Sequence, residues 1–382
     1  MLIWPNQERI FPRPYIDNVN LSDKKLRDSS ENFKPSFKDK DMPIATTEQY
    51  KQMLVNAKKN GFAYPAINIV NLEGINAALE AFTECGCDGM IQVSTGGGAH
   101  ATGALADSAE GAKILAEAAH RLAEKHPGLV VLHTDHCIKE KVDPFMIPLI
   151  EESESRVKKG LKPLFNSHMF DGSALPLEEN LEIGLKLARR LRDIGMFIEV
   201  ESGVVGGEED GIDNSNVKAE KLYTTPDDMI LVYETLKEVE TFMYAATFGN
   251  VHGVYKPGNV KLTPKILRDG QKAVQDKCGT GANPLDLVFH GGSGSDPAEI
   301  AETLGYGVIK MNVDTDTQYA FTRPIADHMF KNYDGVLRIE GEMGNKKVYD
   351  PRSYLKAGVA NMKERIKRAV RELNAEGHSL NA

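Results

Sequence analysis

Short apolar runs alternate with amphipathic segments along most of the chain. From about residue 46 onward the pattern repeats as a strand followed by a helix, and eight strands can be counted. Most of these strands are almost continuously apolar, which is typical of parallel strands that are buried on both faces. The predicted strands are 63–68, 89–94, 129–134, 163–168, 196–202, 242–248, 287–290 and 307–313.

The helical segments between the strands carry one apolar face each. Leu177, Leu181 and Leu191 contribute to such a face in a segment that ends at Gly195. Repeated strand-then-helix units predict a parallel sheet, and eight of them predict an α/β fold of the (β/α)8 TIM barrel type. An open, doubly wound sheet is the structural alternative. A charged segment at 352–373 predicts an additional C-terminal helix.

Polar and ionisable residues cluster at the carboxyl ends of almost all the predicted strands. A closed barrel brings those ends together on one rim, where such folds carry their chemistry, whereas an open sheet spreads them along a line. This distribution favours the barrel. The residues are Asn68, Ser94, Asp135, His136, Asp171, Glu199, Glu201, Asn250, His252, His290, Asn312 and Asp314.

The first 43 residues differ from the rest of the chain. They are polar, interrupted by proline and mixed in charge, and they show little periodicity. We therefore predict an N-terminal arm at 1–43 and one catalytic barrel domain at 44–382, which includes the C-terminal helix.

Composition and charge exclude several functions. With 382 residues, 41% hydrophobic and 26% charged, the chain has the composition of a soluble globular protein. Its net charge of -9 argues against nonspecific binding to nucleic acid or anionic membrane. No apolar stretch approaches the roughly 20 residues of a membrane span, and the first residues lack the features of a signal peptide. We expect a cytoplasmic protein with reduced cysteines.

Three histidines follow strongly apolar strands. These are His136 in LHTDHC, His252 in FGNVHGVYKPGN and His290 in VFHGGSGS. A barrel would bring the three imidazoles together, and three nitrogen ligands with one open position are typical of catalytic zinc. Taken singly, each would more readily be a structural histidine. Together they predict a metal site.

Two carboxylates share one face of the fifth predicted strand. Glu199 and Glu201 are two residues apart in FIEVES, so both point to the same side. Burying them in a barrel is costly without a cation or hydrogen-bond donors. We therefore expect Glu201, together with Asp171, to support metal binding, the alternative being a solvated carboxylate at the rim.

Three loops with candidate binding or catalytic roles follow the fifth, seventh and eighth predicted strands. HGGSGS at 290–295 and NVDTDT at 312–317 let backbone N–H groups approach an anion near a helix start, so we predict a phosphate site there. GGEEDGIDNS at 206–215 joins glycines to four acidic residues. It is either a solvated acidic loop or a hinged loop that delivers a general base.

Six ordered segments carry a resemblance to a known family. LHTDHC, GGEEDGIDNS, FGNVHGVYKPGNV, VFHGGSGS, GVIKMNVDTDTQ and YDPR occur in the order that is seen in class II, metal-dependent fructose-bisphosphate aldolases of the longer, dimeric type. The chain resembles that family from about residue 45 to 375. The resemblance implies a zinc-dependent, reversible cleavage of fructose 1,6-bisphosphate into dihydroxyacetone phosphate and glyceraldehyde 3-phosphate, in glycolysis and gluconeogenesis.

The resemblance also implies roles for individual residues. His136, His252 and His290 would bind the catalytic Zn²⁺, and Asp171 and Glu201 a metal in a second position. Asp135 would be the proton donor to the aldehyde oxygen, and Glu209 would move the proton on the dihydroxyacetone phosphate carbon. The residues implied to bind substrate are Asn68, Ser94, Gly253, Gly291, Gly292, Ser293, Asn312, Val313, Asp314, Thr315 and Arg352.

Two further expectations follow from the same resemblance. A monovalent cation, K⁺ or Na⁺, would bind at the backbone of Val251, Gly253, Gly291 and Ser293. Arg352 in YDPR would reach the second phosphate, across the interface of a homodimer.

Three other functions fit part of the same sequence pattern. A tagatose-bisphosphate aldolase would use the same metal and phosphate groups, and kinetics with both sugars would separate the two. A metal-dependent hydrolase on the same barrel is less favoured, because its His-x-His pair is absent from the first predicted strand. A non-enzymatic binding protein would have no need of both Asp135 and Glu209 beside a metal.

Overall fold

The described part of the chain forms a closed barrel of eight parallel strands surrounded by helices. The computed structural model describes residues 43–209, 212–213, 222–252, 262–338 and 344–381. In chain order the strands are β1 (Tyr64–Asn68), β2 (Gly89–Val93), β3 (Val130–Thr134), β4 (Ser167–Asp171), β5 (Phe197–Ser202), β6 (Gly206–Glu209), β7 (Ile212–Asp213), β8 (Phe242–Ala246), β9 (Val251–His252), β10 (Leu287–Phe289) and β11 (Val308–Val313).

Helices follow the barrel strands, as the sequence pattern predicts. In chain order they are α1 (Thr47–Asn60), α2 (Leu72–Cys85), α3 (Thr95–Ala101), α4 (Ser108–Ala123), α5 (Lys139–Lys141), α6 (Ile147–Lys158), α7 (Leu177–Arg192), α8 (Pro226–Leu236), α9 (Lys265–Cys278), α10 (Pro297–Leu304), α11 (Thr315–Lys331), α12 (Tyr333–Leu337), α13 (Lys346–Tyr349) and α14 (Pro351–Glu372).

The barrel closes between its first and last strands. The strand order is β1, β2, β3, β4, β5, β8, β10 and β11, and β11 pairs with β1 so that Ala66 lies opposite Asn312. All strand pairs in the barrel are parallel, so their carboxyl ends form one rim. The prediction of a (β/α)8 barrel is confirmed, and the open sheet is excluded.

Local sequence sets where the elements begin and end. Asn71 caps the start of α2 by accepting a hydrogen bond from the Gly74 N–H, and Gly86 ends that helix at a φ of 59°. The predicted amphipathic helix at 177–194 ends slightly earlier, at Arg192, and buries Leu181 and Leu191.

The fourth strand lies further along the chain than the sequence pattern predicts. The apolar residues Leu164 and Phe165 are buried, but they precede the strand, which begins at Ser167. The Asn166 N–H donates to the Leu132 carbonyl, and the Asn166 carbonyl accepts from the Phe197 N–H, so backbone pairing starts just before the strand. The Asn166 side chain also accepts a hydrogen bond from the Leu132 N–H and donates one to the Ala45 carbonyl. The shift makes Asp171 the last residue of β4, on the rim.

The two ends of the described chain are fixed to the amino-terminal side of the barrel. The Val130 N–H donates to the Pro43 carbonyl, although the sequence pattern includes Pro43 in the arm. Near the other end, the buried Asp88 carboxylate accepts hydrogen bonds from Leu129 N–H, Ser379 Oγ and Leu380 N–H. Residues 1–42 of the predicted arm lie outside the described residues.

Helix α14 confirms the predicted C-terminal helix and packs against α2 and α11. Among the residues that the structure describes, no helix is both long and apolar enough to cross a bilayer.

Candidate active site

Asp135 lies on the rim of the barrel between two carboxamides. Asn68 Nδ2 donates to Asp135 Oδ2 at 2.8 Å, and Asn312 Nδ2 donates to Asp135 Oδ1 at 2.9 Å. The three side chains come from β1, β11 and the residue after β3, which are far apart in sequence, so barrel closure brings them together. Asp135 is only 1% exposed, and both of its oxygens accept a hydrogen bond from an amide.

Two of the three predicted zinc ligands are in contact beside Asp135. The rings of His136 and His290 have centroids 4.7 Å apart. His136 Nδ1 lies 3.0 Å from Asp171 Oδ2 and 3.5 Å from Glu201 Oε2, and His290 Nδ1 lies 3.6 Å from the same Glu201 oxygen. Four of the five side chains predicted to bind metal therefore form one cluster, which consists of His136, Asp171, Glu201 and His290.

The electrostatics of this cluster come from acidic groups and imidazoles packed in a buried space. Burial opposes ionisation of Asp171, but His136 and Ser173 outweigh it and lower the pKa of Asp171 to about 2. Burial and the nearby Asp171 raise the pKa of Glu201. Burial alone would lower the pKa of His290, yet Glu201 and Glu199 raise it to about 9. The carboxylates of the cluster therefore favour a positive charge among them, which the His290 proton can supply and a bound cation can supply in its place.

A second layer of ionisable side chains lies beneath the rim. Lys310 Nζ donates to Glu199 Oε2 at 2.9 Å and to Asn312 Oδ1 at 2.6 Å, and Glu199 Oε1 lies 2.6 Å from His290 Nε2. His133 Nε2 is 3.3 Å from Glu199 Oε2. Burial opposes ionisation of Glu199, but the charges of Lys310 and His133 hold its pKa well below the usual value.

Most of this inner layer was not predicted from the sequence. No role was predicted for Lys310, His133 and Gln92, and Glu199 was predicted only to lie at a strand end, on the same face as Glu201. A period-two signal was available, because each residue precedes a rim residue by two positions: Lys310 before Asn312, His133 before Asp135, Gln92 before Ser94 and Glu199 before Glu201.

The predicted acidic loop forms a short hairpin as far as it is described. Strand β6 pairs with β7 in an antiparallel manner, with Glu209 opposite Ile212. Strand β6 also pairs with β9, where Gly207 lies opposite His252. The backbones that carry the predicted base and the third predicted zinc ligand are therefore in neighbouring strands. The side chains of Glu209 and His252, and all of Gly253, lie outside the described residues.

The first predicted phosphate loop packs closely against β9. Gly291 has a φ of +62°, and a Cβ atom there would come within 2.7 Å of the Val251 carbonyl oxygen. A Cβ at Gly292 would meet the Met311 side chain at 2.1 Å. Ser293 is 8% exposed and follows directly. The absence of a side chain at Gly291 thus lets its backbone approach that of Val251, another of the residues predicted to hold a monovalent cation.

The second predicted phosphate loop leads into helix α11. Val313 is buried and is the last residue of β11. Asp314 is the N-cap residue of α11, and Thr315 is the first residue of that helix. The first N–H groups of a helix attract anions. A cavity of about 320 Å³ opens beside Asp314 and Asn68.

Two other residues predicted to bind substrate, Ser94 and Arg352, lie in different parts of the structure. Ser94 ends the β2 unit and accepts a hydrogen bond from the Gly97 N–H through Oγ, so it caps α3. Arg352 lies at the start of α14, where its guanidinium bonds to Asp350, and its side chain is 82% exposed. Among the contacts of the described residues, none joins Arg352 to the rim of the barrel within one chain.

The donor set fits a metal of the predicted kind. Asp135, His136 and His290 offer ligand atoms that lie within 4.8 Å of one another, and His136, Asp171 and Glu201 do the same. Imidazole nitrogen and carboxylate oxygen are the ligands that catalytic zinc uses. A parallel barrel with buried carboxylates, imidazoles and glycine-rich loops on its carboxyl rim defines a class of metal-dependent barrel enzymes.

Comparison with known proteins identifies the family. The family model described as fructose-bisphosphate aldolase class-II matches residues 48–378. The fructose-bisphosphate aldolase of Mycobacterium tuberculosis is 55% identical over 344 residues, covering 89% of this chain and 99% of that protein. That of Corynebacterium glutamicum is 53% identical, covering 88% and 98%. The chain belongs to the class II fructose-bisphosphate aldolase family.

A solved structure agrees with this result. The crystal structure of fructose-bisphosphate aldolase from Campylobacter jejuni matches with a TM-score of 0.78 and 40% identity, covering 88% of this chain and 97% of that one. The predictions of the family, of the barrel fold and of an aldolase, which is a lyase, are confirmed.

Proposed function

We propose that this chain catalyses the zinc-dependent, reversible cleavage of fructose 1,6-bisphosphate into dihydroxyacetone phosphate and glyceraldehyde 3-phosphate. The observation that carries the proposal is the buried Asp135 carboxylate, held by Asn68 and Asn312 beside the paired rings of His136 and His290. In this arrangement Asp135 can exchange a proton with a substrate hydroxyl, while the ring nitrogens of His136 and His290 bind a cation.

His136 and His290, together with His252, would hold the catalytic metal, and Asp171 and Glu201 would hold a metal in a second position. The short distances from His136 to Asp171 and Glu201 support this assignment. When bound, the metal supplies Lewis-acid stabilisation of the negative charge that develops on the substrate.

The proposed proton transfers divide between two carboxylates. As the bond between C3 and C4 breaks, Asp135 takes the proton of the C4 hydroxyl, and the bonding electrons stay with the dihydroxyacetone phosphate half as an enediolate. Glu209, in its protonated form, then gives its proton to C3 of the enediolate and becomes a carboxylate, and solvent restores the starting protonation states of both residues. In condensation each carboxylate performs the reverse step, so Asp135 returns its proton to the aldehyde oxygen.

The phosphate of dihydroxyacetone phosphate would bind at the backbones of Gly253, Gly291, Gly292 and Ser293 and at the start of α11, with Ser94 and Asn312 to Thr315 completing the site. Tight packing of Gly291 against Val251 supports a shared K⁺ or Na⁺ site with Ser293. Arg352 is proposed to reach the second phosphate in a partner subunit of a homodimer, which is consistent with its exposure.

The wider setting is also proposed. The chain would act in the cytoplasm in glycolysis and gluconeogenesis, with residues 1–43 as an arm and 44–382 as the catalytic domain. We propose no nucleic acid or membrane partner.

The decisive experiment is an aldol-cleavage assay on the full chain with and without EDTA, followed by addition of zinc. Activity should disappear with EDTA and return with zinc, and activity that is insensitive to EDTA would contradict the metal assignment. The same assay with tagatose 1,6-bisphosphate decides the choice of sugar, since we expect a lower kcat/KM for tagatose.

A further inference from the structure

Four buried amide and ammonium groups form a continuous hydrogen-bonded chain across the barrel, with Asp135 in the middle. On one side, Gln92 Nε2 donates to Asn68 Oδ1 at 2.5 Å, and Asn68 donates to Asp135. On the other side, Lys310 Nζ donates to Asn312 Oδ1, and Asn312 donates to Asp135. Each oxygen of Asp135 therefore accepts from an amide that itself accepts from a more deeply buried donor.

The Lys310 end of this chain determines which way the Asn312 amide faces. Lys310 can only donate, so the Asn312 oxygen must face it, and the Asn312 NH₂ group is left for Asp135. If the Asn312 amide were reversed, two donors would meet at Lys310 and two acceptors at Asp135. Lys310 is fully buried, so no water reaches it to relieve that clash.

On the other side, the Asp135 carboxylate accepts from the Asn68 NH₂ group, and Gln92 supplies the donor that the Asn68 oxygen then faces. Gln92 is fully buried in β2, and its own Oε1 has no hydrogen-bond partner among the described residues. A buried carbonyl without a partner is costly, and an apolar side chain of similar size would avoid that cost. The contact that offsets it is the donation to Asn68.

We propose that Gln92 and Lys310 are positioning residues for the proton transfer at Asp135, because each donates to the oxygen of an amide, Asn68 or Asn312, that holds one of its two oxygens. The inference rests on the proposed function of Asp135. Neither residue touches the reacting atoms in this arrangement. Each acts through one carboxamide, and a carboxylate held at both oxygens keeps its plane and its reach toward the C4 hydroxyl.

The test is a double-mutant cycle on the full-length enzyme loaded with zinc. Gln92→Met and Lys310→Met are each made in the wild-type chain and in Asp135→Ala, and kcat for fructose 1,6-bisphosphate cleavage is measured in all of them. In the wild-type background each variant should lower kcat about tenfold, the rate equivalent of one hydrogen bond. In the Asp135→Ala background neither should cause a further loss, because the residue through which they act is absent.

Two readouts separate positioning from a general loss of packing. Both variants should retain bound zinc, and both should exchange the carbon-bound hydrogen of dihydroxyacetone phosphate with solvent at the wild-type rate, because Asp135 has no part in that step. Gln271→Met is the matched control. Gln271 is a buried glutamine whose amide bonds to the backbone at Leu285 and Tyr306, so its loss should lower stability and leave kcat unchanged.

Several outcomes would overturn the inference alone. These are an equal loss of kcat in both backgrounds, full kcat in Gln92→Met, or loss of zinc in Lys310→Met, which would assign Lys310 to the metal through Glu199. Gln92→Met leaves every charge in place, so it decides the matter even if Lys310→Met does not fold. Normal cleavage by Asp135→Ala is a different failure, because it would remove the proposed function of Asp135 and the inference together.

Discussion

Lys310 Nζ and Glu199 Oε2 are 2.9 Å apart inside the barrel, and both side chains are completely buried. Each charge stays in the interior because the other is present, and Glu199 extends the pair to the predicted zinc ligand His290. This ion pair thus joins the part of the rim that holds Asp135 to the part that holds the metal ligands.

We predict that Glu199→Gln destabilises the protein strongly, because it leaves the Lys310 ammonium buried without a counter-charge. The free energy of unfolding should fall by about 3 kcal/mol, which urea titration measures. Glu238→Gln is the control, since Glu238 pairs with Arg189 on the surface, where the loss should stay below about 1 kcal/mol. Similar losses of unfolding free energy in Glu199→Gln and Glu238→Gln would show that the buried ion pair contributes no more to stability than a surface pair.

His252→Ala should lose both bound zinc and activity while the barrel stays folded, because one of three proposed imidazole ligands is removed. Metal analysis of the purified variant and circular dichroism test this. His328→Ala serves as control, because its ring bonds to the Val348 carbonyl on the helical surface and should affect neither quantity. Full zinc occupancy in His252→Ala would exclude His252 from the ligand set.

Removing Arg352 should weaken only the recognition of the second phosphate. Arg352→Ala should raise KM for fructose 1,6-bisphosphate by about tenfold or more, as expected for a lost charged hydrogen bond, while the affinity for dihydroxyacetone phosphate stays nearly unchanged. Arg368→Ala on the same helix is the control, because Arg368 pairs with Glu372. An equal loss of affinity for both ligands would argue against this role.

The two proposed proton-transfer residues should separate in a hydrogen-exchange assay. Glu209→Ala should bind zinc and dihydroxyacetone phosphate yet exchange the carbon-bound hydrogen very slowly, by a factor of about 10² or more. Asp135→Ala should retain most of this exchange, while its kcat for cleavage and condensation falls by a factor of about 10² or more to a measurable residual rate. Normal exchange in Glu209→Ala, with none in Asp135→Ala at full zinc occupancy, would reverse the two assignments.

Two histidines away from the metal cluster should make the fold sensitive to acid. Burial lowers the pKa of His120 to about 4 and that of His168 to about 3. The unfolded chain, with a histidine pKa near 6.5, binds these protons more readily than the folded chain does. Stability should therefore be complete above about pH 6.5 and decrease as pH falls below it, by up to about 1.4 kcal/mol per pH unit for each group.

Unfolding midpoints between pH 4 and 7 measure this decrease. His168→Asn can keep a hydrogen bond to Thr134. Because this variant takes up one proton fewer on unfolding, its free energy of unfolding should fall less steeply as pH decreases. An unchanged slope in His168→Asn would show that His168 does not titrate on unfolding.

The sequence was sufficient to predict the barrel and most of the rim. Apolar runs define parallel strands, and polar residues at their carboxyl ends identify the site, since closure of a barrel leaves only one place for them. The fourth strand was misplaced because Leu164 and Phe165 are as apolar as a strand, although the residues that pair in the barrel begin only at Ser167.

The inner layer could not be predicted in the same way. Lys310 stands inside the apolar run VIKMNV, and its counter-charge Glu199 comes from a strand 111 residues away, so no local pattern indicates the pair. Likewise, the hydrogen bonds of the Asn68 and Asn312 amides depend on groups from elsewhere in the chain. Period-two spacing shows which face such residues share, but only the three-dimensional structure shows which of them meet.

A designer who transfers this site to another barrel would have to transfer Gly291 as well. Its contribution is the space that it leaves empty, in which the backbone of one loop meets Val251 of the neighbouring strand. Copying the histidines and carboxylates without this glycine would transplant the ligands and lose the spacing between the loops. The smallest portable unit of the site therefore includes a residue that has no functional group at all.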